Sequence, residues 1–250
     1  MTGSPVSGRV TLATARRVLQ QLRRDPRTMA LLLVVPVLLL VLLRYVFDGR
    51  AGAFDRVGGP LLALFPFTTM FLVTSVAMLR ERMTGTLERL LTTPLGKADL
   101  LLGYALAFGA VALVQAGLAS AVALGPLGLR LAASPAPVVL LAVLDALLGM
   151  ALGLLLSAFA RTEFQAVQFL PAVVLPQVLL CGLLAPRQAM AAPLRWLSDV
   201  LPMTYAVDGM QRLTGSAALS AGVLRDAGIV AGASLLALLV GAATLRRQSV

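Results

Sequence analysis

The stretch "RERMTGTLERLLTTPLGKAD", residues 80–99, separates two long apolar runs at 61–79 and 100–125. It holds seven charged side chains, in a chain that has only 21 Lys and Arg and 11 Asp and Glu. Each flanking run is long enough to cross a bilayer, which takes roughly 17 to 25 apolar residues as a helix. The stretch is therefore predicted to connect two membrane-spanning helices, with far more charge than a simple connection needs.

The composition places most of the chain in a membrane. Of 250 residues, 59% are hydrophobic and 13% are charged, and the mean hydropathy is +0.91, values outside the range of soluble globular domains. Six runs have spanning length, at about 29–47, 61–79, 100–125, 138–159, 165–184 and 227–245. The connections between them are too short for a second domain of ordinary size. The predicted fold is a single all-α integral membrane domain over residues 1–250.

The residue types present exclude most chemistry within this chain. There is no histidine to act as a general base or metal ligand, and Cys181 is the single cysteine, so an intrachain disulfide is impossible. Gly96-Lys97 is followed by Ala98 and lacks the earlier glycine of a phosphate-binding loop. We expect a chain that is not an enzyme and binds no cofactor or metal itself.

The net charge of +10 is distributed as in a membrane protein rather than in a nucleic-acid-binding protein. If both termini are cytoplasmic, thirteen of the 21 basic residues lie inside and the other eight outside, so we predict that topology and no nucleic-acid partner. The first run, with Ala-Gly-Ala at 51–53, also imitates a signal peptide. Arg44, Asp48 and Arg50 crowd that cleavage site and favour a retained helix.

Two further segments are predicted to lie at the membrane surfaces. Residues 9–25 form an amphipathic interfacial helix with the apolar positions Leu12, Ala15, Leu19 and Leu22. A disordered basic tail is the alternative. Asp25-Pro26 then predicts the cap and first turn of the next helix. The less apolar segment 185–225 contains three prolines and predicts short re-entrant or interfacial helices on the outer side.

Polar residues within the spans have both a structural and a functional interpretation. Thr68 and Ser75 lie seven residues apart on one face and either line a cavity or hydrogen-bond to carbonyls of their own helix. Asp145 is an acid well inside an apolar run, which makes it a functional candidate by default. Since it lacks the additional charges that ion coupling needs, we predict a structural role for it.

Small residues recur at a spacing that lets two helices approach closely. Gly149 and Gly153 form one such pair, and Gly228 and Gly232 form another. The spacing does not distinguish packing within one subunit from packing between two.

The charged stretch contains a short predicted amphipathic helix. It begins at Gly85-Thr86, places Leu87, Leu90 and Leu91 on one face with Glu88 and Arg89 turned away, and ends at Pro94. Asp99 is predicted to cap the next span. A helix with an apolar anchoring face and exposed charges is typical of a surface that docks a partner protein. The charges are therefore attributed to a cytoplasmic partner.

These residues resemble the type 2 class of ATP-binding-cassette (ABC) exporter permeases. The segment "LRERMTGTLERLLTTPLGKADLLLG" is similar to that family's R-E-R-x-x-G-T-L-E-x-L-L-x-T-P signature, and "RRDP" and residues 164–213 are similar to its entry and its fifth span with outer loop. The resemblance implies a coupling helix that sits in a groove of an ATPase subunit. It assigns this role to Glu81, Arg82, Gly85, Thr86, Leu87, Glu88, Leu91 and Pro94.

The resemblance also implies a translocation cavity at a dimer interface. It places Phe169, Pro176, Cys181 and Gly182 beside that cavity, and we add Thr68 and Ser75 as candidates from their shared face. The family's frequent Gly-x-x-Phe-Pro after the fifth span is replaced here by "GLLAP", so the geometry of its outer gate is not carried over.

The predicted function is that of an exporter permease in the cytoplasmic membrane of a bacterium. It would pair with a second permease, as a homodimer or heterodimer, and with two ATPase subunits that bind ATP and Mg²⁺. Walls of Leu, Val, Ala and Phe favour an amphipathic or lipid-like substrate such as a drug, an antibiotic or a lipid. The alternatives are an ATP-independent secondary carrier and a membrane scaffold.

Overall fold

The computed structural model describes residues 7–84, 97–216 and 219–244, and these residues form helices and no β-strand. The α-helices in chain order are α1 Gly8–Arg24, α2 Pro26–Val46, α3 Ala53–Met83, α4 Lys97–Leu124, α5 Pro135–Leu156, α6 Glu163–Phe169, α7 Leu175–Leu180, α8 Ala192–Val200, α9 Pro202–Gly215 and α10 Ala221–Thr244. A π-helical turn at Leu170–Val174 joins α6 to α7, and a short 3₁₀ turn lies at Arg187–Ala189.

Six of these segments are long and apolar enough to cross a membrane, which confirms the predicted fold class. They are α2, α3, α4, α5, the combined α6 and α7, and α10. The helix α3 is longer than its predicted apolar run, because it has 31 residues and is therefore roughly 46 Å long. The fifth span is interrupted by its π-helical turn, in which Pro171 cannot donate a backbone hydrogen bond.

Helices α3 and α5 pack closely in the centre of the bundle, because glycines of α5 face the backbone of α3. A Cβ atom added to Gly149 would overlap the carbonyl oxygen of Phe67 and lie 3.0 Å from its Cα. One added to Gly153 would overlap the Thr74 hydroxyl. This glycine pair therefore packs within the subunit. Gly228 and Gly232, by contrast, have no atom within 4 Å of an added Cβ.

The spans alternate in direction, so the bundle has two ends. We define the α1 end as the one that carries α1 together with the last turn of α3 and the start of α4. Gly241 of α10 lies beside Leu101 and Leu155 at this end. The described chain thus starts and finishes at the α1 end, as expected for an even number of spans.

Helix α1 packs along the start of α4. Its buried residues are Thr11, Thr14, Ala15, Val18 and Leu22. Gly103 of α4 permits the approach, since a Cβ there would lie 2.6 Å from the Cβ of Thr14. Leu12 is 67% exposed. The protein-facing stripe therefore includes Ala15 and Leu22 of the predicted apolar face, whereas Leu12 and Leu19 are exposed.

The opposite end, the α8 end, is held by ion pairs. Arg187 contacts both Asp199 and Asp208, the latter at 2.6 Å, and the buried Asp226 contacts Arg212 and Arg225 at 3.2 and 2.9 Å. Burial raises the pKa of the Asp208 carboxyl, while the charge of Arg187 opposes that shift. Helix α9 is largely buried here, packed among α3, α5 and α10.

Candidate functional site

The residues assigned to ATPase coupling fall partly outside the structure that is described. Gly85, Thr86, Leu87, Glu88, Leu91 and Pro94 lie outside the described residues. Glu81 and Arg82 lie in the last turn of α3. The structure therefore gives the geometry directly before residues 85–94.

Glu81 connects α3 to α1. Its Oε1 accepts a hydrogen bond of 3.2 Å from Gln21, and its Oε2 lies 3.6 Å from a guanidinium nitrogen of Arg17. Arg17 in turn donates a 2.8 Å hydrogen bond to the hydroxyl of Tyr104 on α4. The Glu81 side chain is only 14% exposed, so this ion pair is screened by water less than a surface pair would be.

The neighbouring arginines connect α3 to two further helices. Arg80 binds the carboxylate of Glu163 at the start of α6 through two hydrogen bonds of 2.8 and 3.1 Å, a strong bidentate geometry. Arg82 donates a 3.4 Å hydrogen bond to the carbonyl of Ser157 at the end of α5. Three consecutive charged residues thus bind three different helices.

Asp99 lies in the first turn of α4, which begins at Lys97, and binds the start of α1. Its Oδ1 accepts a 2.7 Å hydrogen bond from the backbone N–H of Ser7 and a 3.1 Å bond from the Thr11 hydroxyl. The carboxylate is 2% exposed. The predicted cap position is therefore wrong, because α4 begins two residues before Asp99.

We predict that Asp99→Ala loosens α1 from α4. Hydrogen bonds to a charged group contribute about 1.5 to 3 kcal/mol, so amide hydrogen exchange over 8–24 should accelerate by roughly tenfold or more. The matched control is Asp48→Ala, because Asp48 is an exposed acid at the far end of the bundle. Unchanged exchange over 8–24 in Asp99→Ala would show that α1 is held without this carboxylate.

A cavity of about 520 Å³ opens between α1, α2, α3 and α4 beside these residues. Its polar lining comes from Gln21, Asp25, Thr28, Arg80, Glu81, Thr84 and Tyr104. Its apolar lining comes from side chains of all four helices, including Leu22, Leu31, Leu72, Val76 and Phe108. The cavity therefore has one polar and one apolar region, which suits an amphipathic ligand.

The residues assigned to a dimer cavity do not form one site within this chain. The Thr68 hydroxyl donates a 2.8 Å hydrogen bond to the Leu64 carbonyl of its own helix. Ser75 is fully buried in α3. Their assignment to a cavity stays a prediction.

The fifth-span candidates are spread along the length of that span, from Phe169 at the end of α6 to Gly182 after α7. Phe169 packs against the buried cluster of Leu79, Ala160 and Ala166 near the α1 end, and Pro176 is half-buried in α7. Cys181 is buried at the end of α7, and Gly182 has a φ of +90° that favours glycine, next to the Arg187 side chain. Their place at a dimer interface likewise stays a prediction.

Asp145 is fully buried in α5, and neither of its carboxyl oxygens has a hydrogen-bond partner among the described residues. No group of three or more metal-ligating side chains occurs within the described ranges.

The partners of Glu81, namely Arg17, Gln21 and Tyr104, were not predicted. A charged residue beside a span was the signal for Glu81, but nothing in the sequence pairs it with α1.

The sequence profile of the ABC-2 type transporter family matches residues 9–213. This match begins in the first turn of α1 and ends within α9, so it includes every helix of the candidate site.

Several curated proteins are similar to the chain. ABC transporter G family member 20 of Dictyostelium discoideum is 29% identical over 63% of this chain and 22% of that protein. The probable multidrug ABC transporter permease YbhR of Escherichia coli is 30% identical over 59% of this chain and 40% of that permease. The linearmycin resistance permease protein LnrN of Bacillus subtilis is 25% identical over 73% of this chain and 47% of that permease. The aligned region spans less than half of each relative.

Proposed function

Because the chain belongs to the ABC-2 type transporter family, we propose that it is the membrane permease of an ATP-driven exporter in the cytoplasmic membrane of a bacterium. Two permeases would pair around a pathway, and two ATPase subunits would bind ATP and Mg²⁺ beneath them. The observation that carries the proposal is the family match over residues 9–213, which includes the charged segment 80–99.

The proposed substrate is an amphipathic or lipid-like molecule. Names of similar proteins refer to multidrug transport and to linearmycin resistance. The large apolar residues of the spans that face outward from the described chain are mostly Leu and Val, and such walls favour apolar ligands over small ions or sugars.

The proposed mechanism is alternating access, driven from segment 85–94. Closure of the ATPase pair would displace this segment, and the last turn of α3 lies directly before it. Since Arg80, Glu81 and Arg82 bind α6, α1 and α5, a displacement of α3 would be passed to three helices through short contacts. Two packed arrangements of these helices would then open the pathway to one side or the other.

Transport by the reconstituted complex tests the proposal. The permease and a candidate ATPase encoded by an adjacent reading frame would be placed in sealed vesicles with a fluorescent amphipathic drug. We expect ATP-dependent movement of the drug that disappears when the phosphate-binding lysine of the ATPase is replaced. Equal movement with and without ATP would instead favour a secondary carrier, and no movement with any amphiphile would favour a scaffold.

The topology gives a separate prediction. Single cysteines at Ser7, Ser216 and Ser249 in a Cys181→Ser background would be labelled in intact cells with an impermeant thiol reagent. We expect labelling at position 216 alone, because the basic residues favour cytoplasmic termini and Ser216 lies at the α8 end. Labelling at position 7 or 249 without labelling at position 216 would show that the permease has the opposite orientation in the membrane.

A further inference from the structure

A cavity of about 710 Å³ lies at the α8 end of the bundle, between the connection from α2 to α3 and the connection from α4 to α5. We call it the loop cavity. Its charged lining consists of Arg44, Arg50, Arg130, Asp48 and Asp55. Three arginines and two aspartates give this lining a formal net charge of +1.

Hydrogen bonds hold the walls of the loop cavity together. Arg44, near the end of α2, donates a 3.2 Å hydrogen bond from Nε to the carbonyl of Leu127. The backbone N–H of Arg130 donates a 3.0 Å hydrogen bond to the carboxylate of Asp55 in the first turn of α3. Both bonds run between α2 or α3 and the connection from α4 to α5, so they join the two sides of the cavity.

The three arginines differ in whether their guanidiniums are already bound. Arg44 pairs with Asp48 at 3.3 Å and lies over the ring of Phe54, 5.8 Å from its centroid. The guanidiniums of Arg50 and Arg130 make no hydrogen bond or ion pair among the described residues. Two guanidiniums of the loop cavity are therefore available to a ligand.

The two carboxylates of the lining already have donors. Asp48 is bound by Arg44 and is 70% exposed to water, and Asp55 is bound by the Arg130 N–H. A phosphate group has several acceptor oxygens in a geometry that guanidiniums bind well, so it could accept from Arg50 and Arg130 together. A cationic ligand would instead meet the net positive charge of the lining. The loop cavity therefore favours an anion.

The loop cavity continues onto an apolar face of α2. Tyr45 lines the cavity and is 71% exposed. Leu42 and Leu38, which are 52% and 49% exposed, precede it by three and seven residues and so lie on the same side of the helix. An exposed apolar stripe on a membrane-spanning helix contacts acyl chains. A lipid could use both the arginines and this stripe, whereas a soluble anion could use only the arginines.

We infer that the loop cavity binds the head group of an anionic phospholipid. Its phosphate oxygens accept hydrogen bonds from Arg50 and Arg130, and an acyl chain lies along Tyr45 and Leu42 of α2. This binding belongs to the permease in its membrane, so it depends neither on the ATPase nor on export.

Quenching of a tryptophan by brominated lipids tests this inference. The reporter is Tyr45→Trp in a Trp196→Phe background, in vesicles of phosphatidylcholine with increasing fractions of phosphatidylglycerol. Each lipid in turn carries bromine on its acyl chains, so quenching reports which lipid lies beside position 45. Since a basic residue near an anionic lipid surface contributes roughly fivefold to binding, we expect phosphatidylglycerol to be preferred by about fivefold or more. Equal occupancy by the two lipids would overturn the inference.

Arginine variants separate the site from a general attraction of anionic lipid to a basic protein. Replacing both Arg50 and Arg130 with Gln should abolish the preference, because the Arg130 N–H and the contacts of Arg44 are kept. Arg195→Gln is the matched control, since Arg195 is exposed on α8 and does not line the loop cavity; it should leave the preference unchanged. If the double variant does not insert, Arg50→Gln alone should lower the preference by about twofold or more. A preference that survives loss of these arginines, or that falls equally in Arg195→Gln, would contradict the inference.

Inorganic phosphate distinguishes a lipid site from a site for a soluble anion. Sodium phosphate and sodium chloride of equal ionic strength screen charges to the same extent, so both should weaken the preference for phosphatidylglycerol equally. A larger loss in phosphate would show that the loop cavity binds the free anion, and the lipid assignment would be wrong.

Discussion

Replacing Gly149 with alanine is expected to destabilise the folded permease strongly, although the change adds a single methyl group. The new Cβ would overlap the Phe67 carbonyl oxygen and lie 2.9 Å from its carbonyl carbon. These are backbone atoms of α3, so no side-chain rotation relieves the overlap, and α3 and α5 must separate. Overpacking of this kind costs about 1 to 3 kcal/mol and sometimes more, a large part of the roughly 5 to 15 kcal/mol that stabilises an ordinary domain.

Gly228→Ala is the matched control, because it makes the same change in a helix of the same chain where an added Cβ meets no atom within 4 Å. Alanine is favoured over glycine in a helix by roughly 1 kcal/mol, so this variant should be as stable as the parent or slightly more so. Thermal unfolding of the purified permease in detergent distinguishes the two. Parental stability in Gly149→Ala would show that the α3–α5 contact is not as close as the structure has it.

The six spans were predictable because a long apolar run indicates a helix whose side chains contact lipid or the protein core. The full length of α3 was not, since Asp55 and Arg56 interrupt the apolar pattern at its start. In the structure Asp55 is helical and accepts a 3.0 Å hydrogen bond from the backbone N–H of Arg130. Hydropathy therefore gave the part of the helix inside the membrane and missed the part that continues beyond it.

The candidate site was predictable only in part. Glu81 and Arg82 stand out as charges beside a span, but their partners are distant in sequence. Glu81 binds Gln21, 60 residues away, and Arg82 binds Ser157, 75 residues away. Such pairings depend on how the helices are arranged, which local spacing does not specify. The same limit explains α1, whose apolar spacing was visible but whose protein-facing side was set by Gly103 on α4.

Charge reversal at Glu88 is expected to uncouple the proposed exporter. Glu88 lies outside the described residues, and its role rests on the family signature. If it contacts the ATPase subunit, Glu88→Lys replaces an attraction with a repulsion, which costs several kcal/mol at a desolvated interface and much less at a wet rim. We expect normal amounts of permease in the membrane, weak copurification with the ATPase, and loss of both substrate-stimulated ATP hydrolysis and export.

Arg89→Glu is a useful comparison, because it reverses the neighbouring charge on the same predicted helix. Levels of each variant in the membrane would be measured first, since no span is altered and insertion should be unaffected. If Glu88→Lys showed wild-type export and full stimulation of ATP hydrolysis, Glu88 would be only a solvated charge. The proposed coupling role would then lose its main residue.

Photo-crosslinking tests the central claim most directly, because it asks whether segment 85–94 touches an ATPase. A photoreactive amino acid would be placed at position 88, and a second variant would carry it at position 216, at the α8 end of the bundle. The account predicts a covalent adduct between permease and ATPase from position 88 and none from position 216. An adduct from 216 without one from 88, or no adduct from 88 in a complex that copurifies intact, would contradict it.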